Sequence, residues 1–152
     1  MNEKQSELIA VSEPRSPISE AYRTLRTNLD FASLDQALKT LVVTSAGGGE
    51  GKSTTLANLG VVSAQTGRKV VLVDADLRRP SLHSVFGLGN ETGLTTVMMD
   101  ESSLASPPLQ ETGIEGLLVL TSGPLPPNPA DLMGSRRMEE VIGALANEAD
   151  QV

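Results

Sequence analysis

Apolar residues recur along this chain in two rhythms. Leu41-Val42-Val43, Val70-Val71-Leu72-Val73 and Leu117-Leu118-Val119-Leu120 are unbroken runs, the pattern of strands covered on both faces. They predict strands over 40–45, 69–73 and 117–121. Elsewhere the spacing is helical. Ser16-Pro17 reads as an N-cap and first-turn proline, and Ile18, Tyr22, Leu25 and Leu29 follow at helical intervals, predicting a helix with one buried stripe. A second helix is predicted over 52–66, stopped by Gly67, with short helices over 81–86 and 94–99 on either side of a turn at 87–90. The stretch 100–116 reads as loop, 130–134 as a helical turn, and 136–148 as a fuller helix burying Met138, Val141, Ile142 and Leu145. Residues 1–15 are polar apart from Leu8-Ile9-Ala10-Val11 and read as a flexible arm, leaving 16–152 as one domain.

Strand, helix and strand in succession make a βαβ unit with a right-handed crossover. The fold class that follows is α/β, a mostly parallel sheet flanked by helices. Three strands are few for such a sheet, so it is expected to be incomplete, with an unfilled place that leaves a strand edge or an apolar face exposed.

The turn between the first strand and its helix carries the chemistry. Ala46-Gly47-Gly48-Gly49-Glu50-Gly51-Lys52-Ser53-Thr54 follows the pattern G-x-x-x-x-G-K-[ST], with Ala46 in place of the first glycine. Glycines let backbone N–H groups from Gly48, Gly49, Glu50 and Gly51 through Thr54 turn inward on phosphates, and the helix adds its positive end. Lys52 can reach the outer phosphates and the Ser53 hydroxyl can ligand Mg²⁺. This is the P-loop of NTPases. A dinucleotide fingerprint fails, because G-x-G-x-x-G begun at Gly47 would need glycine at Lys52.

Asp74 and Asp76 leave the second strand at the edge where ligands of open α/β sheets bind. Two apart in an extended segment, they share a face. Carboxylates beside a phosphate cradle can hold Mg²⁺ through its waters, and one can take a proton from an attacking hydroxyl; a helix cap and a turn are the plainer alternative. Arg78 and Arg79 follow, either as phosphate or subunit contacts or as surface residues. His83, the single histidine, reads as a surface residue. Glu20, Arg23 and Arg26 step round the polar side of the first long helix, as a solvated face or as a docking surface.

Composition narrows the partners. With 12 Lys and Arg against 19 Asp and Glu, the net charge of −7 offers no basic stripe for nucleic acid. A local nest of N–H groups can still bind a nucleotide. The absence of cysteine excludes disulfides and thiolate metal sites. No apolar stretch approaches membrane-spanning length, and a cytoplasmic protein is expected, with any membrane contact made through a partner.

Taken together, the 20–29 segment, the P-loop through Thr55, Val71-Leu72-Val73-Asp74-Ala75-Asp76-Leu77-Arg78-Arg79-Pro80 and the Pro-Pro-Asn-Pro segment at 126–129 resemble the bacterial tyrosine kinases, P-loop autokinases of capsular and extracellular polysaccharide systems. The resemblance implies ATP and Mg²⁺ as cofactors, with Lys52, Asp74 and Asp76 catalytic and Ser53, Asp74 and Asp76 serving the metal. It implies other copies of the chain as partners, through Glu20, Arg23 and Arg26, and a membrane chain-length adaptor. Gly47 stands where the related MinD and ParA ATPases carry an extra lysine. The family's Walker B strand would follow Val152 and its tyrosine cluster would lie further on, so the sequence reads as the N-terminal portion of such a kinase. An ATPase switch and a non-catalytic nucleotide-binding or oligomerisation module are the rival readings.

Overall fold

A computed structural model of the chain describes residues 8–33 and 37–152. In chain order the elements are α1 (Ile9–Ser12), α2 (Pro17–Ala32), α3 (Lys52–Ala64), β1 (Val70–Val73), α4 (Leu82–Phe86), α5 (Leu94–Met99), β2 (Gln110–Glu111), β3 (Leu117–Leu120), α6 (Pro129–Met133) and α7 (Arg136–Glu148), with a 3₁₀ turn at Glu101–Leu104. The sheet runs β1-β3-β2, β1 and β3 parallel and β2 antiparallel. The short β2 lies inside the stretch expected to be loop.

Side-chain alternation divides the core between the two faces of this sheet. Val70, Leu72, Leu117 and Val119 pack with α1, α3 and α4. Val71, Val73, Leu118 and Leu120 face the other way, with α5 and α7. The unbroken apolar runs are explained by this double cover. α3 is buried from Ala57 through Ala64, and Gly60 lets it approach the sheet: a Cβ there would stand 2.9 Å from Leu72 Cδ2.

Four expectations are corrected. The segment expected to be an arm is packed from residue 8 onward: Leu8 and Ala10 are buried, and the Ala10 N–H donates to Asn58 Oδ1 at 2.9 Å. Residues 1–7 of that segment lie outside the described residues. The α2 stripe is borne out in part: Tyr22 and Leu29 pack against the core as predicted, but the buried face is turned toward Ser19. Ile18 is 55% and Leu25 39% exposed, whereas Ser19 is fully buried, donating to the Ile9 and Glu13 carbonyls. Docking of α1 beside α2 draws that hydroxyl inward. Met138 and Ile142 on α7 are half-buried at a cleft, and only Val141 and Leu145 of the predicted face are enclosed.

The fourth correction concerns 40–45, which forms no strand ladder. Its partner is the Gln151-Val152 pair: Leu41 N–H donates to Val152 O at 2.9 Å, Val152 N–H to Lys39 O at 2.7 Å, and Val71 N–H to Gln151 O at 2.9 Å. One extended strand width therefore separates 39–41 from β1. Beside Val152 lies a cleft of about 600 Å³, lined by Val43, Leu56, Val73, Met133, Met138 and Ile142 among others. Val42 at its edge is 80% exposed.

Asn58 ties α1 to α3, accepting from Ala10 N–H and donating to Thr54 O. Asn58→Ala strands a buried N–H and is expected to lower unfolding free energy by about 1–3 kcal/mol in urea titrations; an unchanged midpoint would show that the α1 contact contributes nothing.

Candidate functional site

The glycine loop turns as its sequence requires. Gly49 and Gly51 adopt φ of +78° and +82°, a left-handed conformation in which side chains are strained, and Gly51 caps α3. Ser45 Oγ donates to Gly47 O at 2.8 Å, fixing the entrance. Gly47, Gly48, Gly49, Glu50, Gly51 and Thr54 are exposed, while Lys52 and Ser53 are partly covered. The Glu50 carboxylate folds back and accepts the Gly47 N–H at 3.0 Å, as an anion would. Arg79 lies over the loop, its Nη1 3.5 Å from where a Cβ on Gly48 would stand.

Lys52 begins α3 and reaches across to Asp76, Nζ to Oδ2 at 3.0 Å, both side chains about a quarter exposed. Asp76 Oδ1 also accepts Arg79 N–H at 2.9 Å and Arg78 N–H at 3.3 Å. Burial pushes its pKa up, but the Arg79 N–H, Lys52 and the Arg78 N–H outweigh burial and hold it below the ordinary value of 3.8.

Asp74 occupies a different environment two residues earlier. It is 4% exposed, its N–H donates to Leu120 O at 2.9 Å, and its Oδ2 accepts the N–H groups of Ser81 and Leu82, both at 2.9 Å. Burial raises its pKa against these hydrogen bonds. The carboxylates thus line one cleft with Lys52 and Ser53, but Asp74 anchors the start of α4 while Asp76 meets the lysine. The Ser81 hydroxyl lies 2.6 Å from Ser53 Oγ. Sequence reasoning gave Ser81 no role, because nothing local marks a serine 28 positions from its partner.

The donor set is one hydroxyl beside carboxylates, with no cluster of three or more His, Cys, Asp or Glu side chains among the described residues. That suits Mg²⁺, which keeps several waters and shares substrate phosphates with one or two carboxylates, and does not suit an all-protein metal cage.

The predicted docking residues also have partners within the chain, and Glu20 stays largely exposed. Arg23 pairs with Glu20 and donates to Pro14 O, and Arg26 Nη1 donates to Val62 O at 3.0 Å while its Nε is buried without a partner. His83 is half-buried rather than on the surface, and its Nδ1 likewise has no hydrogen-bond partner.

Comparison with known proteins points the same way as the geometry. The profile of the CobQ/CobB/MinD/ParA nucleotide binding domain matches residues 41–151. Tyrosine-protein kinase YwqD of Bacillus subtilis is 53% identical over 137 residues, which are 90% of this chain and 57% of that protein. The kinase domain of Escherichia coli tyrosine kinase ETK superposes with a TM-score of 0.88 at 35% identity, over 95% of this chain and 56% of that one. The septum site-determining protein MinD of Pyrococcus horikoshii, solved with Mg-ADP, gives a TM-score of 0.62 at 30% identity, over 75% of this chain and 46% of that one. The chain therefore spans little more than half the length of YwqD and of the ETK kinase domain, and about a fifth of the tyrosine-protein kinase wzc of Salmonella typhi.

The two aspartates predict opposite acid responses. The depressed Asp76 contributes stability that is present above 3.8 and lost as pH falls through its folded pKa. The raised Asp74 protonates more readily when folded, so its contribution falls as pH rises from 3.8 through its folded pKa. Urea unfolding across acidic pH should therefore show Asp76→Asn flattening the loss below 3.8 and Asp74→Asn flattening the fall above it; parallel curves for both variants and wild type would contradict the assigned environments.

Proposed function

Because the chain belongs to the CobQ/CobB/MinD/ParA nucleotide binding domain family and its relatives include named bacterial tyrosine-protein kinases, we propose that it binds ATP with Mg²⁺ and, within its whole protein, transfers the γ-phosphoryl group to tyrosines of neighbouring copies. The observation that carries this is Lys52 at the first turn of α3, held over the glycine loop by Asp76. Backbone N–H groups of Gly48 through Thr54 bind and orient the phosphates, beside the Gly47 N–H that the Glu50 carboxylate occupies. Lys52 exchanges Asp76 for the β- and γ-phosphates and neutralises their charge. Ser53 and Asp76 are the residues that would hold Mg²⁺, directly or through its waters, with Asp74 behind them; the ion would supply charge neutralisation to the phosphates. Asp76, freed from Lys52, accepts the proton of the tyrosine hydroxyl. Positioning and electrostatics do most of the work in such chemistry.

The same reading places the chain on the cytoplasmic side of a membrane polysaccharide system, with an adaptor in the bilayer; among the described residues no helix is long and apolar enough to cross a membrane. Other copies dock at α2, where Ile18 and Leu25 are exposed beside the Glu20, Arg23 and Arg26 face. Likeness to MinD favours one other reading, an ATPase switch that hydrolyses nucleotide without a protein substrate. Labelled ATP separates the two, since a kinase labels protein and a switch releases only phosphate.

Lys52→Met in the complete protein is expected to abolish phosphotyrosine, read by label incorporation from γ-labelled ATP. Undiminished incorporation would remove the P-loop from the mechanism.

A further inference from the structure

On the nucleotide-binding reading Ser53 is the P-loop hydroxyl that would meet the cation, so what holds its side chain matters. The atom in contact is Ser81 Oγ, 2.6 Å from Ser53 Oγ, and Ser81 is itself fixed. Its N–H donates to Asp74 Oδ2, which also takes the Leu82 N–H, while Asp74 N–H is bonded to Leu120 O in β3. Behind it, α4 buries Leu82 and Phe86, at 1% and 0% exposure, in the core shared with α3. A chain of short contacts thus runs from the central strand through a buried carboxylate to Ser53.

A hydroxyl has one proton and two lone pairs. Either serine can donate to the other while no cation is bound. A cation that takes a lone pair of Ser53 makes Ser53 the donor, and its proton needs an acceptor on the side away from the metal. We infer that Ser81 is the positioning residue that accepts this proton, locking the Ser53 rotamer and raising the basicity of its oxygen toward the divalent ion. Asp74 then acts through Ser81, holding it by the backbone, rather than as a ligand in its own right. The inference rests on the nucleotide-binding reading above and deepens it. Outer partners of this kind commonly govern metal affinity by 10- to 100-fold.

The experiment is ATP binding by titration calorimetry to the complete protein in Mg²⁺ and in EDTA, with Mn²⁺ binding followed by loss of the free-ion paramagnetic resonance signal. Ser81→Ala should leave affinity in EDTA within about twofold and weaken the metal-dependent increment and Mn²⁺ binding by about tenfold. Ser81→Thr, which keeps the hydroxyl, should restore both, while Ser81→Val, similar in shape without it, should not. In a Ser53→Ala background the Ser81→Ala change should cost nothing further, because the two act as a unit. Full metal dependence in Ser81→Ala and Ser81→Val would overturn the inference, as would equal losses in Mg²⁺ and EDTA or failure of threonine to rescue. Wild type that binds no ATP under either condition would overturn the nucleotide reading and this inference with it. ATP binding that is insensitive to metal in wild type would overturn the inference alone.

Discussion

A carboxylate in the interior sets the geometry of this protein. Asp74 sits just past the end of β1, almost wholly removed from water, where an unpartnered charge would be strongly destabilising. The fold meets that cost with backbone donors: the N–H groups of Ser81 and Leu82 on one oxygen and that of Asp76 at 3.3 Å on the other. The seven-residue return from Asp74 to Ser81 is thereby closed into a loop whose two ends meet at one side chain. Asp76, Arg79 and Ser81 all ride on that loop. The sheet, α4 and the P-loop are aligned through it.

Around this anchor the charges are arranged as exchangeable pairs. Lys52 holds Asp76, and Glu50 holds a backbone N–H of its own loop. Each is a weak, partly solvated contact, and a phosphate chain offers stronger partners to the lysine and the N–H groups alike. A protein of net charge −7 can present a polyanion site in this way, because the attraction is local and short-ranged against the screened field of the whole molecule.

The sheet is held together unequally. β1 and β3 pair fully and are covered on both faces, whereas the 40–45 segment, among the described residues, meets them by backbone hydrogen bonds through Gln151 and Val152 and by the packing of Leu41. The cleft between the two opens beside Ser53, Asp74 and Asp76, so the packing that supports the P-loop is firm beneath α3 and sparse along the entering segment. α3 itself takes its position from the interior, through Gly60 against Leu72 and Asn58 against α1.

The sequence by itself determined what depends on short-range chemistry. The glycines at 49 and 51, the lysine and hydroxyl that follow, the doubly covered runs at 70–73 and 117–120, and the cap-and-proline start of α2 all declare themselves within a few residues, because φ preference, hydrogen-bond capacity and hydrophobic period are local properties. Both aspartates could be placed at the ligand edge by topology alone. Tertiary structure alone decided how they differ, since Asp74 and Asp76 are the same residue type two positions apart, and only the return of 81–82 and the reach of Lys52 give one a structural anchor and the other a cationic partner. The rotation of α2 toward Ser19, the packing of Leu8 and Ala10, the loose pairing of 40–45 and the contact of Ser81 with Ser53 were likewise settled by partners distant in the chain. Periodicity states that a side chain has somewhere to go; which neighbour receives it is fixed only when the elements meet.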